Sequence, residues 1–174
     1  MKIFKSIKSK AGFSLIEILA VLFIVSMSLL GIVSLIVQNI KVQSINRNNL
    51  IASSLAQEGV ELIRQTRDAN WRIGGGNDYV TNLSDGNYAV DYLQDKPIIN
   101  PTDTKLYLNS SGFYVYNNGT ESNLTATIFS RQIVLASRTD NLGKPFLQVR
   151  AIVSWVDRNQ PHRYELQTLL YDWK

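Results

Sequence analysis

The sequence contains no cysteine. This absence excludes a disulfide framework, a thiolate metal site and a cysteine nucleophile. Proline is also absent from residue 13 to residue 71, and Gly31 is the only glycine between Phe13 and Gly59. Since proline and glycine are the residues that most weaken a helix, we expect one uninterrupted helix of nearly sixty residues, about 90 Å long, through this part of the chain.

Positive charge is concentrated at the amino terminus. The net charge is +4, and no acidic residue occurs among the first twelve residues. Without the four lysines found there, the chain has 14 basic and 14 acidic residues, so the rest of it is formally neutral. This distribution indicates a targeting segment and does not favour a nucleic-acid-binding domain. The lysines are Lys2, Lys5, Lys8 and Lys10.

An apolar run of 25 residues extends from Phe13 to Val37. As a helix it is long enough to cross a bilayer core of about 30 Å. The lysines before it predict a cytoplasmic amino end, with the body after Val37 on the outer side. An ordinary signal peptide has a shorter apolar core followed by a small-residue cleavage site, which is missing here. An uncleaved signal anchor is therefore the alternative interpretation.

Glu17 is the only ionisable residue in this run. A carboxylate inside an apolar membrane helix costs about 2.5 to 3.5 kcal/mol on insertion scales, so it requires a positive partner. The simpler explanation is that Glu17 lies one turn from the end of the span and reaches the interfacial zone.

The segment from Lys10 to Glu17, KAGFSLIE, resembles the class III signal of type IV prepilins and pseudopilins. This resemblance implies that a membrane-embedded prepilin peptidase cuts after Gly12, on the cytoplasmic side, and methylates the new amino terminus at Phe13. Glu17 would then be the fifth mature residue and would pair with the Phe13 ammonium of its own or a neighbouring subunit. Many pilins carry a proline midway along the apolar segment, and this chain has only Gly31 as a weak point there.

Physical chemistry agrees with what the resemblance implies. An ammonium can offset the desolvation of a carboxylate at low dielectric, and such a pair favours one stagger between subunits. A glycine at a cut site lets a protease draw the backbone into extended form without a side chain in the way.

The second half of the helix carries an apolar stripe with i, i+3, i+4 spacing, which predicts packing on a sheet. The glycine-rich segment Ile73–Asp78 predicts the end of the helix, and a phosphate-binding role for Gly74 to Gly76 is disfavoured because no Lys-Ser or Lys-Thr pair follows. The expected domains are 1–12 leader, 13–37 membrane and assembly helix, 38–72 helix continuation and 73–174 body. The stripe consists of Ala52, Leu55, Ala56, Gly59, Leu62 and Ile63.

The last hundred residues show short alternating runs separated by turn residues, which predict an antiparallel sheet. The expected fold class is α+β: a long amino-terminal helix packed on this sheet, similar to the pilin fold. We predict a longer strand over Ile128 to Ala136. We also predict three hairpins, formed by 79–83 with 88–93, by 106–108 with 113–116, and by two long strands joined by a loop over 157–162.

Other candidate sites are weak. Four aspartates are possible calcium ligands, but without D-x-D-x-D spacing solvated loop acids are favoured. His162 is expected in a surface turn, because no triad motif accompanies it. Four N-x-[ST] sequons are conceivable glycosylation sites, although Asn and Ser also simply favour loops. The aspartates are Asp91, Asp95, Asp103 and Asp140, and the sequons begin at Asn82, Asn109, Asn118 and Asn123.

Basic residues along the helix are candidates for contact with DNA in an uptake filament, but the acids Glu58, Glu61 and Asp68 are interleaved with them and make nucleic acid an unfavoured partner. These basic residues are Lys41, Arg47, Arg64, Arg67 and Arg72.

The expected function is that of a structural subunit, a minor pilin or pseudopilin, of a type IV pilus or a type II secretion-like filament. It would have no cofactor, no metal and no reaction of its own. Its partners would be prepilin peptidase, other subunits, an assembly platform and the lipid membrane. It would reside in the inner membrane before it enters a cell-surface or periplasmic filament. The main alternative is an uncleaved, single-pass anchored extracellular binding domain, and an anchored enzyme is a distant third.

Overall fold

The computed structural model describes residues 12–74, 80–93, 97–117, 119 and 122–171. The leader lysines, Asp95 and Asn118 lie outside the described residues. The chain divides into two compact units, residues 1–44 and residues 45–174.

Helix α1 spans Leu15–Gly74 and comprises 60 residues. It begins directly after Ser14, whose carbonyl oxygen accepts hydrogen bonds from the backbone N–H groups of Glu17 and Ile18, at 3.0 and 3.2 Å. It ends at Gly74, inside the glycine-rich segment predicted to end it. The absence of proline therefore has the predicted consequence, and α1 continues through Gly31 without a break.

In the described part of the chain after the helix there are seven strands, and all their pairings are antiparallel. The α+β class is confirmed: a long amino-terminal helix packs on a carboxy-terminal antiparallel sheet, as in pilins. The strands are β1 (Gly86–Ala89), β2 (Ile98–Ile99), β3 (Lys105–Leu108), β4 (Tyr114–Tyr116), β5 (Thr125–Thr139), β6 (Pro145–Asp157) and β7 (Gln160–Tyr171).

Strand β5 organises the sheet. It pairs with β6 over its residues 129–139, while β1 and β3 pair with different stretches of it, as in Tyr88↔Ile133 and Tyr107↔Ala126. The prediction of a longer strand over Ile128 to Ala136 is thus confirmed, and the strand extends further in both directions. The predicted hairpin of β3 and β4 is confirmed as well.

The predicted hairpin around Asp85-Gly86 is wrong. Residues 80–82 form a turn, and β1 pairs with β2 and β5 instead. Asp85 lies in a bend and Gly86 already belongs to β1, where it pairs with Leu135 of the central strand β5. Asp85 supports this arrangement, because its carboxylate accepts a 2.6 Å hydrogen bond from the Ser137 N–H. That bond lowers the pKa of the Asp85 carboxyl below its usual value.

The predicted loop over 157–162 is also shorter in the structure. Arg158 and Asn159, with φ of 50° and 63°, form a two-residue turn, and Asp157 already pairs with Gln160. Positive φ at both central positions matches the twist of the flanking strands. As a result His162 lies in β7 and not in a turn, with its ring stacked on Trp155 at 5.3 Å.

The core of the body lies between one sheet face and the second half of α1. The predicted stripe supplies its helix side, since Ala52, Leu55, Ala56 and Ile63 are buried. On the sheet side the buried residues alternate along the strands, for example Val149, Ala151, Val153 and Trp155 in β6. At Gly59 the approach is close: an added Cβ would lie 2.6 Å from Cδ1 of Ile133.

Candidate processing and assembly site

Residues 12–14 precede α1 and have no regular secondary structure. All three are exposed, and Phe13 has 80% of its surface accessible. Among the residues that the structure describes, nothing lies within 4 Å of the point where a Cβ would stand on Gly12. The folded chain therefore has room for a side chain at residue 12, and its own packing does not require glycine there.

Glu17 lies in the first turn of α1. A carboxylate at this position interacts favourably with the partial positive charge at the helix amino terminus, an effect worth about 0.3 to 1 kcal/mol. The side chain is exposed on the helix. In this position it can stabilise the helix start and remains available to a positive group of the same or another chain.

Phe13 and Glu17 border the same open hollow, of about 260 Å³, whose other lining residues are Ile18, Val21 and Leu22. The two residues that the resemblance assigns to amino-terminal methylation and subunit pairing are thus brought together on one side of the chain. The remainder of the hollow is apolar, so a charge pair formed here would have few competing polar side chains around it.

From Ile18 to Val37 the helix is apolar and exposed on all sides. Its large aliphatic side chains between Leu15 and Val42 all keep more than half of their surface accessible, with Val33 at 53% and Leu30 at 72% as examples. By length and composition α1 is able to cross a membrane, and its most apolar stretch is not buried. A helix that is apolar all round normally lies in lipid or in the centre of a larger assembly.

The body contains a buried cation that sequence reasoning missed. Arg131 of β5 is fully buried, and its guanidinium donates hydrogen bonds to the carbonyl oxygens of Leu55 and Val90, at 3.0 and 2.6 Å. It also forms an ion pair with Glu58 of α1 at 3.3 Å. Arg131 therefore connects the central strand to the helix and to the segment after β1.

Tyr116 and Asp91 complete this buried cluster. The Tyr116 hydroxyl accepts a hydrogen bond from Arg131 Nε at 3.2 Å and donates one to the Arg131 carbonyl oxygen at 2.8 Å. Burial raises the pKa of Tyr116, which keeps this hydroxyl protonated as a donor. The Asp91 carboxylate accepts bonds from the N–H groups of Tyr116 and Leu93, at 2.9 and 3.1 Å. Every member of the cluster fixes the fold.

Asp91 corrects one expectation, because it is fully buried and is not a solvated loop acid. Asp103 and Asp140 do lie in loops, where they accept backbone hydrogen bonds from Lys105 and from Leu142 and Lys144. Within the described ranges, no group of three or more acidic or histidine residues is arranged to hold a metal ion.

The basic residues along the helix do not form one uniform surface. Arg67 is buried, forms an ion pair with Asp68 at 2.7 Å, and donates a hydrogen bond to the Tyr171 carbonyl oxygen at 3.1 Å. Arg64 forms a 3.0 Å surface ion pair with Glu61. Two of the five basic residues considered for contact with DNA therefore form ion pairs within the body instead.

Comparison with known proteins locates one family signature. Residues 7–33 match the model of the prokaryotic N-terminal methylation motif, which includes Gly12, Phe13 and Glu17. No curated protein and no solved structure matches the chain at a significant level.

The motif match supports a type IV pilin-like protein with a class III prepilin signal. The motif implies processing by prepilin peptidase and assembly with other pilin subunits, and its family is structural. Together with the apolar helix, it is consistent with membrane anchoring.

Proposed function

We propose that this protein is a filament subunit, a minor pilin or pseudopilin, of a type IV pilus or a type II secretion-like filament. Prepilin peptidase removes residues 1–12 and methylates Phe13. The chain has no catalytic activity of its own. It waits in the inner membrane with its amino end cytoplasmic and its body outside, until an assembly platform moves it into the filament.

The observation that carries this proposal is the coincidence of two features within six residues. An accessible glycine junction stands just before a helix start, Glu17 lies in the first helical turn, and both fall inside the matched motif. Because the fold itself leaves residue 12 unconstrained, recognition by a peptidase is a reason for glycine at this position.

Assembly follows from the physical state of the mature helix. Its apolar surface is accommodated by lipid before assembly and by neighbouring helices afterwards. The Phe13 ammonium provides the positive charge that Glu17 lacks in an apolar environment, and the pairing fixes the stagger of one subunit on the next. A subunit out of register would leave both charges without a partner.

The test is the intact mass and amino-terminal sequence of the protein recovered from its native membrane or sheared surface fraction. We expect a chain that begins at Phe13 and carries the mass of one added methyl group. A chain that begins at Met1 would overturn the proposal, and it would support the anchored extracellular binding domain with an interfacial Glu17. If the protein were the most abundant subunit of purified filaments, it would be a major pilin and the minor assignment would be wrong.

A further inference from the structure

Three N-x-[ST] sequons begin within the described residues, at Asn82, Asn109 and Asn123. In an exported protein such a sequon is an acceptor for an N-linked glycan when it is accessible on the surface. The glycan is attached to the asparagine amide nitrogen, and the Ser or Thr hydroxyl is part of the recognised sequence. In the folded body these three sequons differ clearly in how far their side chains are engaged in other contacts.

The Asn109 side chain is already used by the fold. Its Oδ1 accepts hydrogen bonds from the N–H groups of Ser111 and Phe113, at 3.1 and 3.0 Å, which closes the turn between β3 and β4. Its Nδ2 donates a 2.9 Å bond to the Tyr92 hydroxyl. The atom that would carry a glycan is therefore held against Tyr92.

The Asn82 sequon is fixed through its other two residues. Leu83 is fully buried in the core, and its N–H donates a 2.8 Å hydrogen bond to the Val80 carbonyl oxygen. The Ser84 hydroxyl lies 3.2 Å from the hydroxyl of the buried Tyr88. An enzyme would have to pull Leu83 out of the core to draw this sequon into its active site.

Asn123 has neither restriction. It lies in the connection between β4 and β5, is exposed, and has a left-handed backbone with φ of 64°. Thr125, the hydroxyl residue of the sequon, is exposed at the first position of β5. Within the described part of the chain, neither side chain makes a hydrogen bond. Leu124 between them is only partly buried, and Thr125 pairs with Leu108 at the end of β3, so an enzyme can bind the sequon by opening that one terminal pair.

We propose that Asn123 is an N-glycosylation site of the exported body. Its Nδ2 attacks the anomeric carbon of a lipid-diphosphate-linked oligosaccharide. The nitrogen–carbon bond forms as the bond from that carbon to the diphosphate oxygen breaks. The lipid diphosphate leaves with the electron pair and takes up the proton that the amide loses, so nothing is oxidised or reduced. The inference rests on the outward orientation of the body in the proposed function.

The experiment uses the full-length chain, expressed in its native host and recovered from the membrane or surface fraction. Intact mass and peptide mapping should show an added glycan on the Asn123 peptide and none on the Asn82 and Asn109 peptides. Asn123→Gln and Thr125→Ala should each remove the added mass completely, while Thr125→Ser and Asn109→Gln should retain it. Both target residues are exposed, so the variants are expected to fold.

An unmodified Asn123 in the recovered protein overturns the inference. Glycan on Asn109 or Asn82 in its place would show that the free amide and hydroxyl do not govern the choice of site, and it would overturn the inference as well. The amino-terminal peptide of the same sample reports on the filament proposal separately. A chain that starts at Phe13 and carries an unmodified Asn123 would overturn only the glycosylation proposal. A chain that starts at Met1 and carries a modified Asn123 would overturn only the proposal of a processed filament subunit.

Discussion

The two regions of the chain differ in what happens to their apolar side chains, which are mostly exposed in residues 15–44 and largely buried in residues 45–171. In the first region nearly every large aliphatic side chain is exposed and the helix contributes no core. In the second region the same helix buries one face against a sheet, and even a guanidinium lies within that core. The comparison teaches that residues 45–171 bury apolar surface within the chain, whereas residues 15–44 leave theirs exposed, as is typical of a helix that lies in lipid or among other chains.

The charges of the two regions differ accordingly. Arg131 has all its partners within its own body, at distances of 2.6 to 3.3 Å. Glu17 stands exposed on an apolar helix and depends on a group that becomes available only after cleavage under the proposed function. Variants can therefore disrupt folding and assembly separately.

The largest effect is expected from Arg131→Met. The substitution takes a donor from the Leu55 and Val90 carbonyl oxygens and from the Tyr116 hydroxyl. Each buried polar group left without its partner costs about 1 to 3 kcal/mol, so we expect a total loss of about 3 to 5 kcal/mol. Urea unfolding of the detergent-solubilised chain, followed by tryptophan fluorescence, should show this loss. The control is Arg150→Met on the outer face of the same sheet, where a 3.5 Å pair with Glu165 is solvent-exposed and contributes about 0 to 1 kcal/mol. Equal losses in the two variants would contradict the assigned role of Arg131.

The next effect is expected from Glu17→Ala, which should leave cleavage at Phe13 and the stability of the body unchanged. Incorporation into filaments should fall at least about tenfold, equivalent to about 1.4 kcal/mol, because the Phe13 ammonium loses its partner. The matched control is Glu61→Ala, which removes an exposed carboxylate of the same helix from a surface pair with Arg64. If both variants entered filaments at the wild-type level, the pairing mechanism would be abandoned.

The smallest effects are expected from replacing one glycine by alanine in each region. Gly59→Ala should destabilise the body by about 1 kcal/mol, because overpacking against the buried Ile133 Cδ1 costs about 1 to 3 kcal/mol and the better helix propensity of alanine offsets about 0.5 to 1 kcal/mol of it. Gly31→Ala has open space around it and should stabilise the helix by about 0.5 to 1 kcal/mol. Combining Gly59→Ala with Ile133→Val removes the clashing carbon and should restore most of the loss in a double-mutant cycle. If the double variant did not regain stability, the contact with Ile133 would not be the cause of the destabilisation.

Sequence reasoning succeeded where the signal is local. The long helix followed from an absence of breakers, and the β6–β7 hairpin from strict alternation in Val149, Ala151 and Val153. The resemblance carried by eight consecutive residues agrees with the motif match at residues 7–33, while the roles of Gly12, Phe13 and Glu17 stay predictions. In each case the information lies within a few turns of helix or one pair of strands, where periodicity directly reflects geometry.

Sequence reasoning failed where contacts with backbone distant in the sequence determine the structure. Arg131 occupies an inward position between Phe129 and Ile133, and a basic residue at that point of the alternation was the available signal. Two of its partners, however, are carbonyl oxygens 76 and 41 residues away, which no side-chain pattern reveals. The β1 error has the same cause, since a turn sequence was interpreted as a hairpin although β1 pairs with the non-local strand β5.

Because there is open space around Gly12, selection against substitutions at this position would reflect processing and not folding. In a mutational scan scored for surface display of the filament, depletion of variants at Gly59 would measure tolerance of the core, because a larger residue collides there. Depletion at Gly12 would contain no folding component, since the chain accommodates other side chains at that point. Under the proposed function, fitness values at residue 12 would therefore give the sequence preference of the processing peptidase in the living cell, without purification of the enzyme.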